Sequence, residues 1–558
     1  MEQPAAVSQP DPISSPLHPR PGHRHRGLVP LVLCLIYLAQ CAWFLRTQSL
    51  TYDEPAHIAA GLDAWRNGRF EQWNDHPPLA RLLCTLPLLG ARWRAEVEPQ
   101  PLGFRVTRLD PDPVSLAWRA RSGNVLLGLL LALLLWFTAR RMWSWGAADL
   151  ALALFVFSPA AIAHFSVATT DGAGTLLTFA AAAQLLRWRR NPSWLRTALL
   201  GVLLGSLLLA KFYTVVVFAM VVVGMLVLKP EGTSFHPLRW NWGKAVAAAA
   251  MAFCVVWGGY GFHVSHLTVQ DGQLVVTFAN REPIVKTLRT RVNLSLRVPA
   301  GEYFEGIRTV LRHNRHGQPA FFLGQVSPTG GWKLYYPVVV LLKWPAVVLL
   351  LFGVALGLRL ARRLPLPEDV RLMMVFPVVF FVLAIFARFD LGERHILPLY
   401  PFVLLWVAGL WEFARRRPTI FVVLVLAVSV HAADGLRCAP DYLSCFNLFV
   451  PPGEGYQYLT DSNLDWGQGL LALRHYQDEH PSEKISLAYF GSVPPEMYGI
   501  RAQLLHPGER ASGTVIVSAT SLSGQFLDDP HAYRWVLQYP RKAILNQSLF
   551  VFEVPPRE

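Results

Sequence analysis

Leu50-Thr-Tyr-Asp-Glu-Pro-Ala-His57, followed further along by Trp73-Asn-Asp-His-Pro-Pro-Leu-Ala-Arg81, is the stretch around which the chain is organised. It comes directly after the first long apolar run, so two acids stand where the chain leaves that run. Pro55 suits the first turn of a helix, where its missing N–H would have no partner anyway. Ile58, Leu62 and Trp65 recur at helical spacing and Gly68 ends the run, so the stretch predicts a helix on the membrane surface with Asp53 and Glu54 at its N-terminus. Acids at that position commonly serve only as caps. An acid pair followed by a second Asp-His-Pro-Pro cluster is unusual punctuation for an inert loop, and the functional reading is preferred for Asp53 and Glu54.

Composition puts the rest of the chain in a bilayer. Of 558 residues, 53% are hydrophobic and only 16% charged, with 19 Trp and 32 Phe to serve lipid faces and interfaces. The formal charge of +14 sits largely on Arg between apolar runs, which is the signature of membrane orientation and excludes nucleic acid as the partner. Six Cys give no disulfide framework, although Cys438 and Cys445 are close enough in sequence to pair. Residues 1–26, rich in Pro, Ser, His and Arg, read as a disordered cytoplasmic N-terminus.

Apolar runs then mark the spans: Leu28–Leu45, Val125–Phe137, Leu150–Ala163, Ala168–Leu186, two short helices turning near Lys211 within Leu199–Leu228, Ala245–Phe262, Val338–Leu358, Leu372–Ala387, Leu397–Ala414 and Ile420–Ala433. That is about eleven, at roughly 20 apolar residues per full span. With the N-terminus inside, the short loops at 140–147, 187–197, 229–244, 359–371 and 415–418 are cytoplasmic and hold the Arg clusters. The loops 47–120 and 263–335 and the tail 437–558 are then external. The division is a membrane domain over 27–436 and a small mixed α/β domain over 437–558, where Ile485–Phe490, Thr514–Ser518 and Leu549–Val554 read as strands. No phosphate-binding loop, zinc spacing, nucleophile elbow or dinucleotide fingerprint appears.

The chemistry-bearing residues gather on the external side: Asp53, Glu54, His57, Asp75, His76, His164, Asp171, Lys211, Asp390, Glu393, Arg394 and His395. Each has an ordinary reading too. Asp171 with Thr170 reads equally as a helix cap, and Arg394 as a helix anchor or a partner of Glu393. His57 and His76 lack the spacing of metal ligands.

Tyr52-Asp-Glu-Pro-Ala-His57 with Asp75-His-Pro-Pro-Leu-Ala-Arg81 resembles the first external loop of the protein O-mannosyltransferases, family 39 glycosyltransferases of the GT-C fold. Here Asp75 directly precedes His76, and Arg81 replaces a Lys. The chain is also similar to the bacterial lipid A aminoarabinose transferases. Thr170-Asp171, Trp332-Lys-Leu-Tyr-Tyr-Pro337 with Lys343-Trp-Pro345, and Arg394-His-Ile-Leu-Pro-Leu-Tyr-Pro401 resemble later landmarks of bacterial members, as does Asp461-Ser-Asn-Leu-Asp-Trp-Gly467. The tail does not resemble the β-trefoil repeats of eukaryotic mannosyltransferases.

The resemblance implies an inverting transfer of a sugar from a polyprenyl-phosphate carrier to an acceptor hydroxyl, on an envelope lipid, polysaccharide or protein, at the outer face of the cell membrane. In that reading Asp53, Glu54 and Asp171 are catalytic, with Asp53 the base. Arg394, Lys211, Arg81 and Lys343 bind the donor phosphate, and His57, Asp75, His76 and His395 support the site. The resemblance names no certain cofactor and leaves a divalent metal open. Two rival classes are a multi-span transporter, which would place ionisable groups at mid-membrane on paired broken helices, and a non-catalytic assembly protein for envelope polymers.

Overall fold

The computed structural model describes residues 27–100, 103–229, 237–270, 273–278, 283–287 and 293–556. The N-terminal segment 1–26 lies outside them. Helices form where the apolar runs predict, and the bundle is built from α1 (Leu28–Thr47), α4 (Pro113–Met142), α5 (Trp145–Val156), α6 (Pro159–Phe165), α7 (Asp171–Arg190), α8 (Trp194–Ala210), α9 (Val215–Val227), α10 (Pro237–Gly259), α12 (Tyr335–Lys343), α13 (Ala346–Leu360), α14 (Glu368–Phe386), α15 (Tyr400–Ala408), α16 (Leu410–Ala414) and α17 (Pro418–Arg437). Between them lie the surface helices α2 (Glu54–Asn67), α3 (Leu79–Thr85) and α11 (Gly301–His316); α18 (Leu470–Glu479) belongs to the tail.

All of the roughly eleven expected runs carry helix, but length and composition alone do not confirm eleven full spans. Among the described residues six stretches are long and apolar enough to cross a bilayer: α1, α4, α10 from Asn241, α14, the run Leu397–Ala414 and α17. Two bent pairs bring the total to eight. The run read as Leu150–Ala163 is broken by 65° between α5 and α6, where Pro159 cannot donate to the preceding turn. The run Val338–Leu358 is broken by 110° between α12 and α13, where Pro345 forces Trp344 into an extended conformation. α7 is 20 residues long but Gly/Ala-rich and ends in Arg187, Arg189 and Arg190, so it depends on its neighbours for burial. The turn expected near Lys211 is present: α8 ends at Ala210, and a short 3₁₀ turn leads into α9.

The tail forms a five-stranded sheet in the order 502–504, 485–488, 513–518, 549–554, 541–545. Its first three strands are parallel to one another, and 549–554 runs antiparallel to both of its neighbours. Its packing is continuous with the bundle. One buried apolar cluster runs from Tyr37 and Phe155 to Val515 and Phe552, and a second joins Leu50, Ile58 and Leu62 to Leu470, Leu487 and Ile516. The strand-like link before α2 is stitched to the tail through Ser49 N to Gln468 O (3.0 Å) and Tyr52 N to Trp466 O (2.7 Å). Cys438 and Cys445 are joined as a disulfide.

Candidate active site

α2 begins as the Pro55 signal predicts and ends at Gly68 in the left-handed conformation. Its first two acids face opposite ways. Glu54 turns inward and is fully enclosed. Its Oε1 accepts from Arg121 Nε (2.8 Å) and Ala168 N (2.7 Å), and its Oε2 from Arg121 Nη2 (2.7 Å) and Thr51 N (2.8 Å). Four bonds use up the acceptor sites of a carboxylate. Glu54 therefore ties the first loop to α4 and to the turn before α7, and it has no lone pair left for a substrate. This differs from the catalytic role expected for it.

Asp53 holds the N-terminal position of α2 yet makes no side-chain capping bond. Its carboxylate faces outward, one-quarter exposed, and its Oδ2 accepts from Arg394 Nη1 at 2.7 Å. Arg394 arrives on a 3₁₀ turn that follows Gly392, whose φ of +84° only glycine adopts freely. A side chain at 392 would also strike Asn463. Arg394 is braced by a bond from Nε to Leu391 O (3.2 Å) and lies 4.2 Å from the centroid of the Trp466 ring. A guanidinium stacked and half-paired in this way is aimed, with donors in a fixed fork.

A second acid–base pair lies deeper. Lys211 Nζ, from the break between α8 and α9, donates to Asp171 Oδ1 at the head of α7, and Thr169 Oγ1 donates to Asp171 Oδ2 (3.3 Å). The histidines lie by the two pairs. The His57 and His76 rings are 4.9 Å apart. Burial holds both well below the ordinary histidine range, assisted for His57 by His76 and Arg81 and for His76 by Arg81 and Lys211. Burial, Lys211 and Arg394 do the same to His395. Neutral imidazoles both donate and accept hydrogen bonds, which suits sugar hydroxyls. His57 Nδ1 and Asp75 Oδ1 are buried with no hydrogen-bond partner among the described residues.

Two expected phosphate ligands are occupied elsewhere. Arg81 donates from Nη1 to Gln72 O (2.8 Å) and from Nη2 to Trp73 O, pinning the loop that carries Asp75 and His76. Lys343 is buried and donates to Leu443 O (3.0 Å), Cys445 O (2.6 Å) and Asn463 O (2.5 Å). It also lies 3.6 Å from Glu393, which His164 approaches at 3.4 Å, so this group supports the Arg394 turn from behind. Reading the sequence missed Trp466 and Asn463. The acid- and amide-rich turn Asp461–Gly467 was the visible signal, but nothing local says that it folds over Arg394. Among the described residues no group of three or more His, Cys, Asp or Glu is placed to hold a metal ion. Glu54, saturated by Arg121, Thr51 and Ala168, has no acceptor site left for a cation.

No family model matches the chain, and no curated protein matches it in sequence. Solved structures do match in shape. The S. cerevisiae protein O-mannosyltransferase Pmt1–Pmt2 complex bound to the sugar donor aligns with a TM-score of 0.50 at 10% identity, over 75% of this chain and 90% of that one. ArnT from Cupriavidus metallidurans bound to undecaprenyl phosphate gives 0.46 at 12% identity, over 95% and 99%. The Archaeoglobus fulgidus oligosaccharyltransferase gives 0.39 at 13%, over 75% and 54%. The likeness to the mannosyltransferase is one of fold: this chain has the GT-C fold that its first loop implies.

Proposed function

We propose that this chain is an inverting glycosyltransferase that moves a sugar from a polyprenyl-phosphate carrier to an acceptor hydroxyl at the outer face of a membrane. The observation that carries the reading is the Asp53–Arg394 pair. A carboxylate released from capping meets a stacked guanidinium from a turn hundreds of residues away, partly exposed at the top of a bundle with the GT-C fold. A structural cap would need neither feature.

In the proposed reaction the acceptor oxygen attacks the anomeric carbon from the face opposite the phosphate. The new O–C bond forms while the C–O bond to phosphate breaks, its electron pair leaving on the phosphate oxygen. The hydroxyl proton passes to Asp53. The developing positive charge on the sugar ring is stabilised by the same carboxylate. The leaving group is an anion and needs cations rather than an acid, which Arg394 supplies with fork geometry and Lys211 with a point charge. Asp171 holds Lys211, while Glu54, Arg81 and Lys343 hold the loops. No step uses a metal.

The test is Asp53→Asn. Asn caps helices about as well as Asp, and here there is no cap to lose. The variant should melt like the wild type and transfer sugar about 10²–10⁴-fold more slowly in single turnover, the usual contribution of a general base. Undiminished transfer would move the base elsewhere.

A further inference from the structure

The turn after α3 runs Leu88-Leu-Gly-Ala-Arg-Trp93 into the strand Arg94–Gln100. Arg66, in the last turn of α2, shapes it by donating from Nη2 to Leu88 O (3.3 Å), Gly90 O (3.2 Å) and Trp93 O (2.7 Å). Trp93 is buried in the apolar cluster under α2. Two guanidiniums converge on its ring: Arg92 lies 4.8 Å and Arg119 4.9 Å from the centroid. Both arginines are exposed, and among the described residues no carboxylate pairs with either. Two uncompensated positive charges are therefore held side by side on one indole. Arg119 also fixes their depth, because it stands near the head of α4. Arg119, Leu126, Leu130 and Phe137 recur at intervals of seven, four and seven, which is one face of a helix, and all four are exposed. Arg121 is enclosed against Glu54, and the next charge along α4 is Arg140, 3.5 Å from the Trp145 ring centroid. The rise from residue 119 to residue 140 is about 30 Å at 1.5 Å per residue, the thickness of a bilayer's hydrocarbon core. Leu86, Leu89 and Trp118 are exposed around the two arginines, as apolar and aromatic side chains are at a membrane–water boundary.

We propose that Arg92 and Arg119, held on Trp93, bind the phosphate of an anionic phospholipid whose acyl chains lie along Leu126, Leu130 and Phe137. Guanidiniums present paired N–H donors to phosphate oxygens, and a phospholipid is the phosphate that brings its own apolar tails to the face below. A free phosphate would satisfy the arginines and leave that face uncovered. A choline headgroup would add a positive charge where two already stand. The site is separate from the donor site and does not depend on the reaction proposed there. α2 is about 20 Å long, and Arg66 ties the turn to the end of α2 remote from Asp53. The bound lipid anchors this turn, and with it that end of α2, to the bilayer.

The experiment follows hydrogen–deuterium exchange of the amides of residues 88–94 in the full-length protein, held in nanodiscs of phosphatidylcholine with a rising fraction of phosphatidylglycerol. The forms compared are the wild type, Arg92→Gln, Arg119→Gln, the double Gln variant, the double Lys variant and Arg501→Gln, which removes an exposed charge on the tail as a control for net charge. In the wild type and in Arg501→Gln, phosphatidylglycerol should slow exchange in this segment at the same half-maximal lipid fraction. Each single Gln variant should need about 5-fold more of the anionic lipid and the double Gln variant about 10–30-fold more, the worth of one and of two arginines at a charged membrane surface. The double Lys variant keeps both charges and should shift less than the double Gln variant. Wild-type protection in the double Gln variant, or no protection by phosphatidylglycerol in the wild type, would overturn the site. Equal protection by millimolar inorganic phosphate in discs of phosphatidylcholine alone would overturn the lipid as occupant and leave a simple anion site. If the double Gln variant loses protection throughout the bundle, the single variants decide, and no shift in either overturns the proposal.

Discussion

Asp53 and Glu54 are neighbours of the same chemical type with opposite employment, and the difference lies in how many lone pairs each has left. Glu54 spends all its acceptor sites on Arg121, Thr51 and Ala168 inside the fold. Asp53 spends one oxygen on Arg394 and keeps part of its surface exposed. Glu54→Gln should therefore act on stability. It leaves the Arg121 guanidinium buried without its counter-charge, a change that costs about 3–5 kcal/mol when one partner of an enclosed pair is removed. Thermal melting in detergent should show a large loss for Glu54→Gln and little for Asp53→Asn. Equal melts would mean that the Glu54–Arg121 contact does not support the fold. The inward destination of Glu54 was not legible in the sequence, because Arg121 lies on another helix and no local pattern links them. The adjacency of two acids gave both the same expected role, and the structure turns one inward onto Arg121 and the other outward onto Arg394.

At the scale of elements, α2 and α3 meet so closely that Gly61 is required. A methyl at 61 would lie 2.6 Å from Arg81 O and 2.6 Å from Thr85 Oγ1. Gly61→Ala should push α3 away and lower stability by about 1–3 kcal/mol, the usual cost of overpacking. It should also loosen the Arg81-held loop that bears His76, so transfer falls along with the melt. Gly353→Ala, on α13 with nothing within 4 Å of the added carbon, is the matched control and should change neither; a similar effect at both positions would refute the α2–α3 argument. The same scale shows what a sequence pattern conveys. α2 with its Gly68 stop, the Lys211 break and the strands at 485–488, 513–518 and 549–554 follow from local signals, namely Pro and Gly placement and hydrophobic period. The bends at Pro159 and Pro345 were visible as prolines but were read as parts of single spans. The hairpin of Arg94–Gln100 with Gly103–Asp110 escaped notice because its alternation is largely of charged residues, which resembles a solvated loop.

Across the whole molecule, charge and packing make different demands. The positive-inside rule, applied to the Arg-rich short loops, predicts residues 190 and 416 on the cytoplasmic side and residue 60 and the tail after 440 on the external side. Reporter fusions at those positions should give that pattern, and a cytoplasmic tail would remove the site from the outer face. Packing then explains why the tail cannot be treated as an appendage: its segment 461–468 holds the first loop and the Arg394 turn together. Bent helix pairs are also the material of transporters, so the decisive observation is chemical. Full-length wild type and Asp53→Asn, each reconstituted in vesicles holding a polyprenyl-phosphate sugar labelled in the sugar, should be compared for the fate of the label. The expected result is that the wild type cleaves the sugar–phosphate bond, passing label to an acceptor hydroxyl and leaving polyprenyl phosphate, while Asp53→Asn does so at least about a hundredfold more slowly. Movement of intact labelled donor across the vesicle membrane, with no bond cleaved and no difference between the two proteins, would contradict the account.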